Sequence, residues 1–272
     1  MADRIRRALS IAVAAGALTA GIALGGSSGV IHAQHGAVRA TVTFEKVRYD
    51  FRRIELTIVR PGTRFSRRFD RAYFVPPKLY VRDLDADREP EVWVDTYTGG
   101  AHCCDVTRIF QFVAGQVGYA GTVHTWGNVD YSVTDLNRDR RPELVSSDDR
   151  FAYVFTSFAG SLFPIGIWHF ENGRLVDVTR LFPNAVKRDR AKLLKTYRLF
   201  RREKNDVRGV LAAWMADMSL VDEESRGWAT LQGAYRRGEL GPRPDLTGWP
   251  QGRAYLRTLR TFLRKLGYLQ SG

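Results

Sequence analysis

Sulfur is scarce in this chain. Its 272 residues include two cysteines and three methionines, and the cysteines are neighbours, Cys103 and Cys104. A disulfide-stapled mini-protein and a zinc ribbon both need spaced cysteines, so both are excluded. No phosphate loop, nucleotide fingerprint, serine elbow or HExxH motif is present. No segment after the N-terminal stretch is apolar enough to span a bilayer. No cysteine follows that stretch, which excludes a bacterial lipoprotein anchor. Hydrophobic residues make up 44% and charged residues 26%, globular values that exclude wholesale disorder. The length fits one large or two small domains.

The N-terminus indicates a compartment. Arg4, Arg6 and Arg7 precede an apolar stretch from Leu9 to Leu24, and small residues follow from Gly25 to Gly29. This is the three-part form of a secretory signal peptide, and the stretch is shorter than the roughly 20 residues of a membrane span. It predicts a leader over 1–33, ending at Ala33, and a secreted, periplasmic or cell-envelope protein; the alternative is an uncleaved anchor. The net charge of +13 is uneven: +2 over 1–33, +1 over 34–182 and +10 over 183–272. A function that needs positive charge belongs to the last 90 residues.

The segment 34–182 reads as antiparallel β. Val38, Ala40, Val42 and Phe44 alternate, as do Ile54, Leu56 and Ile58, which is the period of half-buried strands. The chain then repeats itself. Lys78 to Val92 corresponds to Asp130 to Leu144 at an offset of 52, and Ile109 to Val117 corresponds to Ile167 to Leu175 at an offset of 58. The six extra residues are expected near Asp148 to Ser161. Asn172-Gly173 marks a hairpin. Each unit reads as strand, acidic loop, strand, connection, strand, turn, strand, about the size of one propeller blade. Helical periodicity takes over after Pro183. Four helices are predicted, near 185–203, 207–221, 226–238 and 252–267, with Asp206 as a cap for the second. In the last, Leu256, Leu259, Leu263 and Leu266 line one face, and Arg253, Arg257, Arg260 and Arg264 another.

The acidic loops carry the chemistry. Positions one, three, five and nine are Asp83, Asp85, Asp87 and Glu91 in the first, and Asp135, Asn137, Asp139 and Glu143 in the second. Calcium takes six to eight oxygens, and alternate side chains of a tight loop converge on one point. The carbonyl at position seven, from Glu89 or Arg141, adds another oxygen. The alternative is an Asp-rich turn whose carboxylates only cap backbone amides.

The pattern Asp-x-Asp-x-Asp-x-x-Pro-Glu between strands resembles the calcium loops of FG-GAP/VCBS-type β-propeller repeats. Tyr97-Thr98-Gly99-Gly100-Ala101-His102-Cys103-Cys104 resembles a stretch of exported bacterial proteins of that kind. The resemblance covers roughly residues 78–180. It implies Ca2+ ligation by Asp83, Asp85, Asp87 and Glu91, and by Asp135, Asn137, Asp139 and Glu143. It also implies a blade-like fold without enzymatic activity in the repeats. Such loops usually carry Gly at position six, where φ is positive; here Arg88 and Arg140 stand there.

The expected fold is therefore α+β: blade-like antiparallel repeats forming an incomplete propeller, with 38–76 as a degenerate third unit, then a basic helical bundle over 183–272. Two or three blades cannot close a propeller. The sheets stack openly, the helices cover an exposed edge, or chains associate into a homo-oligomer. The functional expectation is a non-enzymatic, calcium-stabilised binding or structural protein of the cell envelope. Two alternatives stand beside it. One is a hydrolase or thiol enzyme using His102, Cys103, Cys104 and Asp105, against which a vicinal Cys103–Cys104 disulfide or two buried thiols weigh. The other is docking of residues 183–272 to an anionic envelope polymer or membrane surface; nucleic acid is disfavoured outside the cell. His124, Trp126 and His169 read as packing residues.

Overall fold

The computed structural model describes residues 27–115, 118–242, 244 and 247–270. Antiparallel sheets come first and a helical region follows. The first sheet is a meander of β1 (Ser27–His35), β2 (Val38–Val47), β3 (Asp50–Arg60) and β4 (Thr63–Phe69), with β5 (Ala72–Tyr73) beside β3. Val38, Ala40 and Val42 point inward from β2, and Ile54, Leu56 and Ile58 from β3, as their alternation requires. β1 includes residues 27–33, which the sequence pattern assigns to the leader; Ser27 pairs with Lys46 and His35 with Val38. Residues 1–26 of that leader lie outside the described residues.

The two repeats form one sheet each. The second sheet is β6 (Lys78–Arg82), β7 (Glu91–Gly100), β8 (Cys103–Phe112) and β9 (Tyr119–Gly127). The third is β10 (Ser132–Thr134), β11 (Glu143–Ser147), β12 (Ile165–Glu171) and β13 (Arg174–Asp177). Both run in chain order, with the acidic loop between their first two strands. One apolar cluster joins the first sheet to the second through Val42, Leu56, Val92 and Phe110. Another joins the second to the third through Leu84, Trp93, Ile109 and Phe170.

The repeats differ in one connection. β7 and β8 are linked by residues 101–102 alone, whereas β11 and β12 are linked by 148–164. This is where the offset of 58 places the extra residues. They form an anchor rather than a loose loop. Phe151 and Phe155 insert into the helical core, with Phe151 edge-on to Phe262 at 5.0 Å and Phe155 edge-on to Tyr255 at 5.3 Å.

The helices are α1 (Pro183–Arg202), α2 (Arg208–Leu220), α3 (Glu224–Arg236) and α4 (Gly252–Lys265). Pro183 starts α1, where its missing N–H costs nothing. α2 is buried from Arg208 to Ser219, so it is the centre of the bundle rather than an amphipathic surface helix. The anchor crosses α2 backbone to backbone at Gly209: a Cβ there would meet the Gly160 carbonyl oxygen at 2.1 Å. Asp206 accepts from the Arg208 N–H and forks its guanidinium at 2.9 and 3.0 Å. Thr156 of the anchor donates to the same carboxylate. The first helix meets the third sheet through Ala185, which packs with Ile167 and Val178.

Candidate metal centre

The two acidic loops fold alike because matching side chains cap matching amides. Glu91 and Glu143 open β7 and β11, and each reaches back across its loop. Glu91 Oε2 accepts from the Leu84 N–H at 2.8 Å, and Glu143 Oε2 from the Leu136 N–H at 2.6 Å. Asp83 accepts from the N–H groups of Ala86 and Arg88, at 2.7 and 2.9 Å. Asp135 accepts from those of Asp139 and Arg140, at 3.1 and 2.9 Å. Asp87 caps Glu89, and Asp139 caps Arg141. Position six is left-handed in both, with φ 76° at Arg88 and 74° at Arg140. Position four is left-handed too, at Ala86 and Arg138. Each such non-glycine residue costs roughly 1–2 kcal/mol, which the carboxylate caps offset.

Charge separates the loops. In the first, oxygens of Asp83, Asp85 and Glu91 lie within 4.8 Å of one another, and no other such group occurs among the described residues. Asp87 stands outside that trio. Glu91 is fully buried, and its Oε1 has no hydrogen-bond partner. Burial, with the charges of Asp85, Asp87 and Asp83 added, pushes the Glu91 carboxyl up to about 8. Burial, then Asp87, raises Asp85 as well. The Glu89 side chain is engaged elsewhere, by Arg60 at 3.0 Å.

The second loop is neutralised from within. Asn137 replaces an acid and donates to Asp139 Oδ2 at 2.8 Å. His169, buried on β12, places Nε2 2.8 Å from Glu143 Oε1, the counterpart of the orphaned Glu91 oxygen. The N–H of Arg141 holds the Asp139 carboxyl below its usual range, and the Arg141 guanidinium binds the Phe170 carbonyl at 3.1 Å. His169 thus serves the loop rather than only packing. The repeat itself carried the signal: at an offset of 58, His169 corresponds to Gln111, whose Nε2 donates to Asp85 at 2.9 Å. Chemically, the first loop crowds carboxylate oxygens that a hard cation or a proton would relieve. The second holds its own counter-groups.

Cys103 and Cys104 form a vicinal disulfide across a cis peptide at the β7–β8 hairpin, and no free cysteine occurs among the described residues. His102 stacks on Phe158 at 4.1 Å. The sulfurs and the imidazole are therefore both engaged, and no base faces a thiol. Asp105 is half-buried, raised first by burial and then by Asp130. His124 lies edge-on to Trp126 at 4.2 Å, and burial lowers it.

A half-buried carboxylate, Asp95, ties the second sheet to the segment leading into the third. The Tyr131 hydroxyl donates to Asp95 at 2.9 Å and accepts from Trp93 Nε1 at 2.8 Å. Thr107 donates to Asp95 at 2.6 Å and accepts from Trp126 Nε1 at 2.8 Å. Burial pushes Asp95 up to about 6 despite the hydrogen bonds from Thr107 and Tyr131. Tyr131→Phe removes both bonds of the hydroxyl while keeping the ring stacked on Trp126. Leaving buried polar groups unpaired costs about 1–3 kcal/mol. Urea unfolding should show a loss in that range, and an unchanged midpoint would mean that the network adds nothing.

On α4, Leu256, Leu259 and Leu263 are buried, and Arg253, Arg257, Arg260 and Arg264 are exposed. Arg260 spends its cation on the Trp228 face at 4.4 Å.

Residues 186–267 match a family described as the sll0997 C-terminal domain. The chain is 31% identical over 208 residues to the "Probable thylakoid lumen protein sll0997" of a Synechocystis strain, covering 71% of this chain and 61% of that protein. It is 29% identical over 163 residues to the uncharacterised protein y4bJ of Sinorhizobium fredii, covering 57% of this chain and 24% of that one. The chain thus spans about three fifths of the first relative and a quarter of the second. No solved structure matches the chain. The family match falls on the helices, so it leaves the likeness of the acidic loops to FG-GAP/VCBS repeats without support.

Proposed function

We propose that this chain is an exported, non-enzymatic binding or structural protein whose first acidic loop holds a calcium ion. The sheets are then blade-like units of FG-GAP/VCBS type in an incomplete array, and the metal stiffens the edge where the second sheet begins. The observation that carries the reading is Glu91: a fully buried carboxylate with one unpaired oxygen, beside Asp83 and Asp85 and with no ion-pair partner among the described residues. Asp83, Asp85 and Glu91 would hold the ion, with Asp87 and the Glu89 carbonyl completing the loop's oxygens. The ion's role is to neutralise the crowded charge and so favour the folded loop. Asp135, Asn137, Asp139, Arg141 and Glu143 form a weaker second site, because His169 already engages Glu143. A calcium titration followed by melting temperature tests this reading.

Export is supported by the Arg4–Gly29 signal pattern and by a relative named for the thylakoid lumen. This reading puts the mature N-terminus at or before Ser27 rather than after Ala33. Ile31 and Ala33 of β1 pack on the core of the first sheet, and removal through Ala33 would strip most of that strand. Mass spectrometry of the exported product should show residues 27–33 retained; a chain starting at Gln34 would overturn this.

A further inference from the structure

We propose that the groove between α1, α2 and α3 binds the phosphate or carboxylate head of a small amphipathic anion. This site is separate from the acidic loops and does not depend on the calcium reading. The groove has a volume of about 350 Å³ and an apolar floor that includes Leu194, Trp214 and Met218. Five arginines rim it: Arg190, Arg198 and Arg201 from α1, Arg226 from α3, and Arg237 just beyond α3. Positions 190, 194, 198 and 201 recur at helical spacing, so a single face of α1 supplies both charge and floor.

Four of these arginines are held in place by two carboxylates that neutralise only half of their charge. Glu223 is shared by Arg190 at 2.6 Å and Arg226 at 3.3 Å. Glu239 is shared by Arg201 at 2.8 Å and Arg237 at 2.6 Å. Two carboxylates therefore position four guanidiniums, and an excess of positive charge remains. Arg198 is exposed and has no ion-pair partner among the described residues, which adds to that excess. Guanidiniums already oriented lose little freedom when an anion arrives. Their planar forks suit the oxygens of phosphate and carboxylate.

The floor supplies an independent sign. Trp214 is 5% exposed, and its indole Nε1 is buried with no acceptor. Trp214 lines the groove, and buried donors are nearly always paired, so an anion seated on the floor would offer this indole the acceptor oxygen that the chain itself does not. The apolar floor explains why the ligand carries a hydrophobic body: a bare inorganic anion would leave that surface wet.

The test is calorimetric titration of the full chain at low salt with phenyl phosphate, with inorganic phosphate and with phosphatidylglycerol vesicles. The expected result is saturable binding of one phenyl phosphate, tighter than inorganic phosphate. Arg198→Glu, on an exposed side chain that leaves circular dichroism unchanged, should weaken it by about tenfold or more. Trp214→Phe should weaken it too. Arg264→Glu on α4, outside the groove, should not. Vesicle binding that phenyl phosphate displaces would assign the head to a lipid; phenyl phosphate binding without vesicle binding would assign a free ligand. Absence of saturable binding, or equal losses in Arg198→Glu and Arg264→Glu, would overturn the proposal.

Discussion

Calcium added to the chelated chain should raise its melting temperature, and the rise should saturate. A ligand at a hundredfold excess over its Kd stabilises the folded state by about 2.7 kcal/mol. In a chain of this size that corresponds to a shift on the order of 5–10 °C. Asp83→Ala and Glu91→Gln should abolish the shift. Asp135→Ala should keep most of it, because the second loop already has His169 against Glu143. Equal losses from Asp83→Ala and Asp135→Ala would mean two equivalent sites, and no shift in the parent chain would make the loops simple turns.

The pH dependence follows from the same carboxyl. Glu91 is raised in the folded state, to about 8, from an ordinary value of 4.5. A carboxyl raised on folding contributes stability that is fully present below its unfolded pKa and is lost as pH rises through its folded pKa. Without calcium, stability should therefore decline between about pH 4.5 and 8. With calcium the decline should vanish, because the metal takes the proton's place. Glu91→Gln should flatten the profile in chelator, which separates an effect of this carboxyl from general acid behaviour.

Asp206→Ala should be the most damaging single substitution at the junction between sheets and helices. Arg208 is 1% exposed, and its guanidinium relies on Asp206 and on the Pro250 carbonyl at 3.1 Å. Removing one partner of a buried pair strands the other charge and costs about 3–5 kcal/mol. The loss also frees Thr156, so the anchor over 148–164 loosens with it. Thermal unfolding should shift down by on the order of 10 °C. The double variant Asp206→Leu with Arg208→Met should recover much of this, since an apolar pair of similar volume carries no stranded charge. A single variant as stable as the parent would show that water reaches Arg208.

Much of the site was legible in the residues. The spacing of Asp83, Asp85, Asp87 and Glu91 determined which amides each carboxylate caps, and Arg88 stands in the left-handed conformation expected of position six. Two features were less visible. His169 read as packing because nothing near it in sequence is acidic except Glu171; only the repeat offset tied it to a loop 26 residues away. The Asp95 network joins residues 36 and 38 apart, and no local pattern announces such pairs. The arginines of α1 show in the sequence only as part of the positive charge over 183–272. Their ordering by Glu223 and Glu239 comes from the two ends of α3, more than 30 residues away in sequence and beyond any helical period.

The sequence by itself determined the order of strands and helices, the duplication, and the internal geometry of both acidic loops. Each of these rests on contacts within about a dozen residues, where backbone periodicity and side-chain caps decide the outcome. Tertiary structure alone decided which loop is left with uncompensated charge, where the insertion over 148–164 docks, and that α2 is the centre of the bundle. Those outcomes depend on which side chain a neighbouring strand or helix brings into contact, and on burial, which sets the cost of an unpaired charge.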